Sequence, residues 1–350
     1  MQLEPYILFE KRGWAGIVTL NRPLALNALN LSMVRAFNTQ LHAWADDGSV
    51  TRIIVKGSGT KAFCAGGDLR NLYELVKQEH FDEVLQFFKE EFQLIHTIKT
   101  FPKPYIALID GIVMGAGFGL SAHGSHRVAG DGYQFAMPEV SIGFFPDVGA
   151  TYVLPRLPNY IGKYIALTGE KIDACTALNA GLLTQRIASV DISEIISQLV
   201  DGSDVDTTLH SFSRPLEPKQ HVEALDVIRA CFNQKNLLAI IAKLEKFASK
   251  GSEFAQKTFV SLHKKSPASL AVTIEQMHRG RDLNFESALK LELQIISKII
   301  HSSDFLEGIR AVIIDKDQKP VWTPPNIKDI SQSEIDKYFI ESPDYELHFA

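Results

Sequence analysis

YIALIDGIVMGAGFGLSAH, residues 105–123, decides the fold class. Its first five residues are an unbroken apolar run of strand length, which is how a strand buried on both faces reads. The glycine-rich run Gly111–Gly119 then turns sharply into a helix that continues to about His123. A buried strand feeding a helix through a tight turn is the building step of an α/β protein.

Working outward, residues 6–10 (YILFE) and 14–20 (WAGIVTL) read as strands split by Gly13 and followed by the turn Asn21-Arg22-Pro23. Ser32 is expected to cap an amphipathic helix that runs to about Ala45. A short buried strand follows at 52–56 (RIIVK), then a polar helical stretch at 81–99, with further strands near 126–129 and 133–136. From about Ile161 helical spacing prevails, in segments 160–168, 173–180, 190–200, 219–233, 236–249, 252–264, 267–279 and 285–301. The Pro-, Ser- and Asp-rich stretch 202–218 reads as a linker or surface loop. The tail from Asp315 is extended before a last helix near 332–340. These shifts place a core with the functional site at 1–200 and a helical C-terminal region with an extended tail at 201–350. No fixed-period repeat is visible in the sequence.

Composition narrows the function. The 350 residues are 45% hydrophobic and 22% charged, as in ordinary globular proteins, and the formal net charge is −5. No Lys/Arg run marks a nucleic-acid face, although one pocket can still bind an anion. Cys64, Cys175 and Cys231 lie far apart without a CxxC, so free thiols in a reducing compartment are expected rather than disulfides or zinc. His80, His96, His123 and His126 lack a metal-ligand spacing with acids, and no metal is expected. The stretch MQLEPYILFEKRGW has neither an apolar core nor transit-peptide character, and a cytoplasmic protein is expected. No apolar run approaches the ~20 residues of a membrane span.

The chemistry concentrates in residues 137–152, MPEVSIGFFPDVGATY, where Glu139 and Asp147 stand eight residues apart among apolar, small and turn-forming neighbours. An ionised carboxylate is costly to bury without partners, so such acids sit in clefts with raised pKa values. Each also has a plain reading, Glu139 as a helix N-terminal glutamate after Pro138 and Asp147 as a turn residue after Pro146. Neither explains why both lie beside Phe144, Phe145 and Val148. Two glycine-rich turns, 63–68 (FCAGGD) and 114–119 (MGAGFG), present backbone N–H groups suited to a developing oxyanion. Alternatively the first is a tight turn with Asp68 capping the next helix, and the second serves close helix–strand packing. Glu90 and Glu91 read by default as a solvated helix face. Neither a dinucleotide fingerprint nor a GxSxG nucleophile elbow is present.

Leu20-Asn21-Arg22-Pro23, Leu26-Asn27-Ala28-Leu29, the turn at 63–68 and Met114-Gly115-Ala116-Gly117 together resemble the crotonase (enoyl-CoA hydratase/isomerase) superfamily. Phe135–Glu139 with Gly143–Gly149, Leu154–Leu157, Phe305–Ala311 and Asp315–Pro320 are similar to its hydrolase branch, over nearly the whole chain. The resemblance implies a crotonase-like spiral of ββα turns with a helical C-terminal region, and a short hydroxyacyl-CoA thioester as small-molecule substrate. It implies no cofactor, coenzyme A being part of the substrate, and neither nucleic acid nor membrane as partner; a homo-oligomer stays open. It puts the oxyanion hole on the N–H groups of Gly67 and Ala116, where the family pattern usually has glycine in place of Ala116. Glu139 matches the principal catalytic carboxylate, Asp147 its partner and Glu91 a third acid on the substrate. Ala25, Leu26, Ala65 and Gly67 would border the CoA moiety, and Asn21-Arg22-Pro23 would be structural. Hydratases of the superfamily carry a second glutamate where this chain has Gly119, and glycine where it has Asp147. Water addition across a double bond needs two acids straddling it, so hydrolysis is favoured over hydration with Glu139 alone. A catalytically silent CoA-binding protein is the alternative of another class.

Overall fold

The computed structural model describes residues 5–215, 222–341 and 346–349. The chain forms two compact units that it enters more than once. The first takes in Met1–Asp68, Glu90–Ala136 and Lys171–Glu217, and the second Leu69–Lys89, Met137–Glu170 and Pro218–Ala350. The sequence pattern places the main boundary near residue 200.

All ten strands of the described residues lie in the first unit: β1 (Ile7–Arg12), β2 (Ala15–Leu20), β3 (Arg52–Gly57), β4 (Ala62–Cys64), β5 (Tyr105–Ile109), β6 (Ile112–Met114), β7 (His126–Ala129), β8 (Gln134–Ala136), β9 (Ile172–Asp173) and β10 (Gln185–Arg186). They form two sheets, ordered β1-β2-β3-β5-β7-β10 and β4-β6-β8-β9. Pairing is parallel except at β1–β2 and β8–β9. The successive pairs β3/β4, β5/β6 and β7/β8 each send one strand to either sheet, so a structural repeat is present that no sequence period betrays. This is the spiral of ββα turns expected from the sequence.

One face of the larger sheet, with Ile17, Ile54, Ile106, Leu108 and Val128, packs on Ile195, Leu199, Val205 and Leu209. The last two belong to the helix Val205–Ser211, inside the stretch that reads as a loop. Asp204 caps that helix by accepting from Thr207 N at 2.9 Å. Seven residues are too few for a periodic signal, and burial of two apolar side chains carries the helix instead. Residues 216–218 of that stretch, and the expected helix start at 219, lie outside the described residues. The helix Leu31–Asp46 is capped by Asn30, which accepts from Met33 N at 3.0 Å. Ser32, expected as the cap, donates to the Asn30 side chain instead. Both residue types suit the role, and only the backbone geometry chooses.

The second unit is helical, its longer elements including Pro267–Gly280 and Phe285–Ile299, and the helix Ser303–Ile309 continues as a π-helical turn, Arg310–Ile314. Arg310 ties that turn down, donating to Glu307, Asp315 and Asp317. Among the described residues no helix is long and apolar enough to cross a membrane. The three cysteines are free; Cys64 and Cys231 are buried and Cys175 is half-buried.

Candidate active site

In the first unit β4 and β6 are parallel neighbours, so the turns that follow them leave the same end of the smaller sheet. Gly66 takes φ +115°, open in practice only to glycine. At Gly117 the constraint is space, since a Cβ there would lie 2.2 Å from the Cys64 carbonyl oxygen. The Ala65 N–H donates to Leu26 O at 3.0 Å, Leu29 N to Gly66 O at 2.9 Å and Asp68 N to Leu29 O at 2.8 Å. The CoA-side candidates Ala25, Leu26 and Ala65 are thereby brought beside the Gly67 turn. Among the described residues neither the Gly67 nor the Ala116 N–H, the latter the first of its helix, donates to another protein group. Two unbonded donors at neighbouring strand ends are what an oxyanion requires.

Leu26 and Asn27 both take left-handed φ, at 50° and 58°. Asn27 holds this pair by accepting from Arg22 N at 2.9 Å and donating to Ser58 O and Ala62 O at 3.0 and 2.9 Å. Arg22 completes the brace, with Nη1 donating to Ala28 O at 2.7 Å and Nη2 pairing with Asp68 at 2.8 Å. The expected structural role of Asn21-Arg22-Pro23 is therefore specific: Arg22 fastens both sides of the Gly67 turn.

On the helix Phe81–Thr100 two adjacent acids part company. Glu90 pairs with Arg35 through two bonds of 2.7 and 2.6 Å. Glu91 is only 2% exposed, so the solvated face expected for both does not hold for it. Its charge reaches Cys64, whose thiol is pushed up to about 12, first by burial and further by Glu91. Glu91 thus belongs with the Gly67 turn.

The second unit contains Glu139 and Asp147, 6% and 5% exposed. Glu139 opens a 3₁₀ turn, Glu139–Ile142, that ends at Gly143 in the left-handed conformation. Burial pushes the Glu139 carboxyl up to about 8. Its Oε2 has no hydrogen-bond partner among the described residues. Burial outweighs the one backbone N–H bond its carboxyl accepts, from Glu139 itself, so the protonated form is favoured well above the usual carboxylate range. The turn is braced from outside by Ser266 N donating to Val140 O at 3.1 Å and Lys265 Nζ to Ser141 Oγ at 2.9 Å. Phe144, between the two acids, packs against Phe88, Phe145 and Phe305, which explains the aromatic setting.

After Asp147, Val148 takes φ +54° and Gly149 φ +85°. A β-branched residue in that region is strained and persists only where its surroundings enforce it. The enforcement comes from two residues that sequence reasoning missed. Glu292 accepts from Gly149 N and Thr151 N, both at 2.8 Å. Gln276 donates to Pro146 O at 2.5 Å and to Thr151 Oγ1 at 2.7 Å. Burial lifts Glu292 to about 7, while its bonds to Thr151 and Gly149 pull the other way. Nothing local announces these two, because they arrive from helices more than 120 residues downstream, whose buried faces carry other polar residues as well, such as Thr273 and Ser297.

Among the described residues no three His, Cys, Asp or Glu side chains gather as a metal site. Unbonded N–H donors suit a carbonyl becoming an oxyanion, and a buried protonated carboxyl suits proton transfer; a protein so equipped falls among enzymes of acyl-group chemistry. The chain belongs to the enoyl-CoA hydratase/isomerase family, whose model matches residues 15–339. It is 42% identical to a protein of Xenopus tropicalis named mitochondrial 3-hydroxyisobutyryl-CoA hydrolase, covering 95% of this chain and 88% of that one. A Homo sapiens protein of the same name is 38% identical, with 98% and 90% covered. A solved carnitinyl-CoA dehydratase from Mycobacterium thermoresistibile superposes with TM-score 0.93 at 33% identity, over 99% of both chains.

These relatives correct one expectation. The proteins at 38–42% identity are named mitochondrial, which points to the mitochondrion rather than the cytoplasm. The composition of a folded enzyme does not encode its compartment, so the N-terminal stretch assigns none.

Proposed function

We propose that this protein hydrolyses a short 3-hydroxyacyl-CoA thioester, with 3-hydroxyisobutyryl-CoA the substrate and 3-hydroxyisobutyrate and CoA the products. The observation that carries this reading is the pair of buried acids Glu139 and Asp147 in a chain whose central helix has Gly119, without an acid, where a hydratase needs one. The relatives that share the hydrolase name agree with it. The N–H groups of Gly67 and Ala116 polarise the thioester carbonyl, each well-placed donor contributing about 3 kcal/mol to the transition state. Glu139, once ionised, either attacks the carbonyl to form an anhydride that water then opens, or takes the proton of the attacking water. On either route the C–S bond breaks and the thiolate leaves with a proton. Asp147 and Glu91 orient the water or bind the 3-hydroxyl. In a single turnover in oxygen-18 water, label in Glu139 indicates an anhydride opened at the glutamyl carbonyl, and unlabelled glutamate argues against that route.

The deciding experiment is thiol release across short acyl-CoAs, with and without the 3-hydroxyl. Fastest release from 3-hydroxyisobutyryl-CoA is expected; no release from any of them would leave a CoA-binding protein. The solved structures at 33% identity are titled carnitinyl-CoA dehydratase and enoyl-CoA hydratase, so hydration is the second reading. Loss of crotonyl-CoA absorbance without thiol release would establish it.

Two further results are expected. Asp147→Asn keeps the shape of the side chain but not its charge, and should lower kcat on the hydroxyacyl thioester by about 10- to 100-fold. Its loss on the plain acyl thioester should be smaller if Asp147 grips the hydroxyl, and equal if it orients the water. Because Glu139 must lose a proton held to about pH 8, kcat/KM should rise with pH, reach half its plateau near 8 and level off about one unit above. A profile flat from pH 6 to 9 would remove Glu139 as base or nucleophile.

A further inference from the structure

We propose that Glu292 and Gln276 are positioning residues for Asp147, holding its carboxylate in the one orientation that serves the reaction. This rests on the hydrolytic reading, in which Asp147 acts on water or on the substrate hydroxyl.

The bonds bracket Asp147 on both sides. Gln276 holds the carbonyl of Pro146, the residue before it, and Glu292 holds the N–H of Gly149, two residues after it. Both clamps also meet at Thr151, through its hydroxyl and its N–H. The turn closes on itself with Ala150 N donating to Asp147 O at 2.9 Å. Between the clamped points lies the left-handed Val148, a conformation that a valine abandons when it is free to do so. Release of either clamp therefore lets the peptide after Asp147 relax and swings the carboxylate.

The two helices that carry the clamps are set close against this turn. At Gly280, near the end of the helix that bears Gln276, a Cβ would lie 2.2 Å from Thr151 O. Both clamp side chains are fully buried, and a carboxylate is an expensive choice for such a place if filling space were its whole task. Two backbone N–H groups at 2.8 Å on its two oxygens identify what Glu292 does there: it caps the turn that follows Asp147, from a distant helix.

The test is a double-mutant cycle. Glu292→Gln keeps the volume but faces one of the two N–H groups with an NH2. It is expected to lower kcat on 3-hydroxyisobutyryl-CoA by about 10-fold or more while KM stays within about two-fold. In Asp147→Asn the clamp has nothing left to aim, so Asp147→Asn/Glu292→Gln should be no slower than Asp147→Asn alone. Gln276→Leu, which removes both bonds to Pro146 and Thr151, is the second variant and should give the same pattern should Glu292→Gln fail to fold. Multiplying losses in the double variant, or unchanged kcat in both clamp variants, would overturn the proposal. Impaired Asp147→Asn beside intact clamp variants sinks the clamp alone. Unimpaired Asp147→Asn removes the role given to Asp147 and the clamp with it.

Discussion

Glu139→Gln is expected to abolish measurable thiol release while CoA still binds. The amide has the shape of the protonated acid, so the pocket is undisturbed, but it neither attacks a carbonyl nor takes a proton. General acid–base work by a positioned side chain is worth about 10²–10⁴-fold, and that is the loss to look for in kcat. The same variant tests the ionisation state. Burial raises Glu139 from 4.5 to about 8, so between these values the unfolded chain is ionised there and the folded chain keeps its proton. Stability is then fully present below about pH 4.5 and is lost as pH rises toward 8. One pKa unit corresponds to about 1.4 kcal/mol, so the loss amounts to a few kcal/mol. Glutamine does not titrate, and Glu139→Gln should melt higher than the parent at pH 8 and alike at pH 4.5. Retained kcat would sink the catalytic role, and equal melting at both pH values would sink the buried neutral acid.

The second large effect is structural. Gly143 has φ +70°, and a Cβ on it would lie 2.1 Å from the Asp304 carbonyl oxygen. Asp304 cannot yield, because its carboxylate accepts from Ser266 Oγ at 2.6 Å and Thr323 N at 2.8 Å. Opposite, a Cβ on Gly308 would meet the Ile142 carbonyl carbon at 2.2 Å, so two glycines let the Glu139 turn lie directly on the helix Ser303–Ile309. Gly143→Ala adds left-handed strain of about 1–2 kcal/mol to overpacking of about 1–3 kcal/mol. Gly251→Ala is the control, since its φ is +96° but nothing lies within 4 Å of the added carbon. Urea titration of the two should show about twice the destabilisation at Gly143, with hydrolysis also impaired there; equal losses would reduce the Gly143 argument to backbone strain alone.

How far the sequence carries depends on the range of the interaction. The strands at 105–109, 126–129 and 134–136 were legible because apolar runs and glycine turns are local signals, and Gly66 and Gly117 stand where the backbone demands them, but the three-residue strand Ile112–Met114 lay hidden in the stretch that reads as a turn. The helix Val205–Ser211 was not legible, because its stability lies in two contacts with a sheet built from residues far away in the chain. Glu90 and Glu91 are the same residue type on successive positions of one helix, yet the first is paired with Arg35 and the second is buried. Helical phase relative to a partner separates them, and a polar stretch does not encode that phase.

The sequence by itself determined the family, the glycine-rich turns and the two acids of residues 137–152, since these rest on residue type and spacing. The tertiary structure alone decided that Glu91 is buried, that Arg22 and Asn27 fasten the Gly67 turn, and that Glu292 and Gln276 hold the turn after Asp147. It also decided that the Glu139 carboxyl keeps its proton to about pH 8. Desolvation and hydrogen-bond partners are properties of the folded surroundings, assembled from helices far along the chain, and they turn a motif into groups of defined charge and direction.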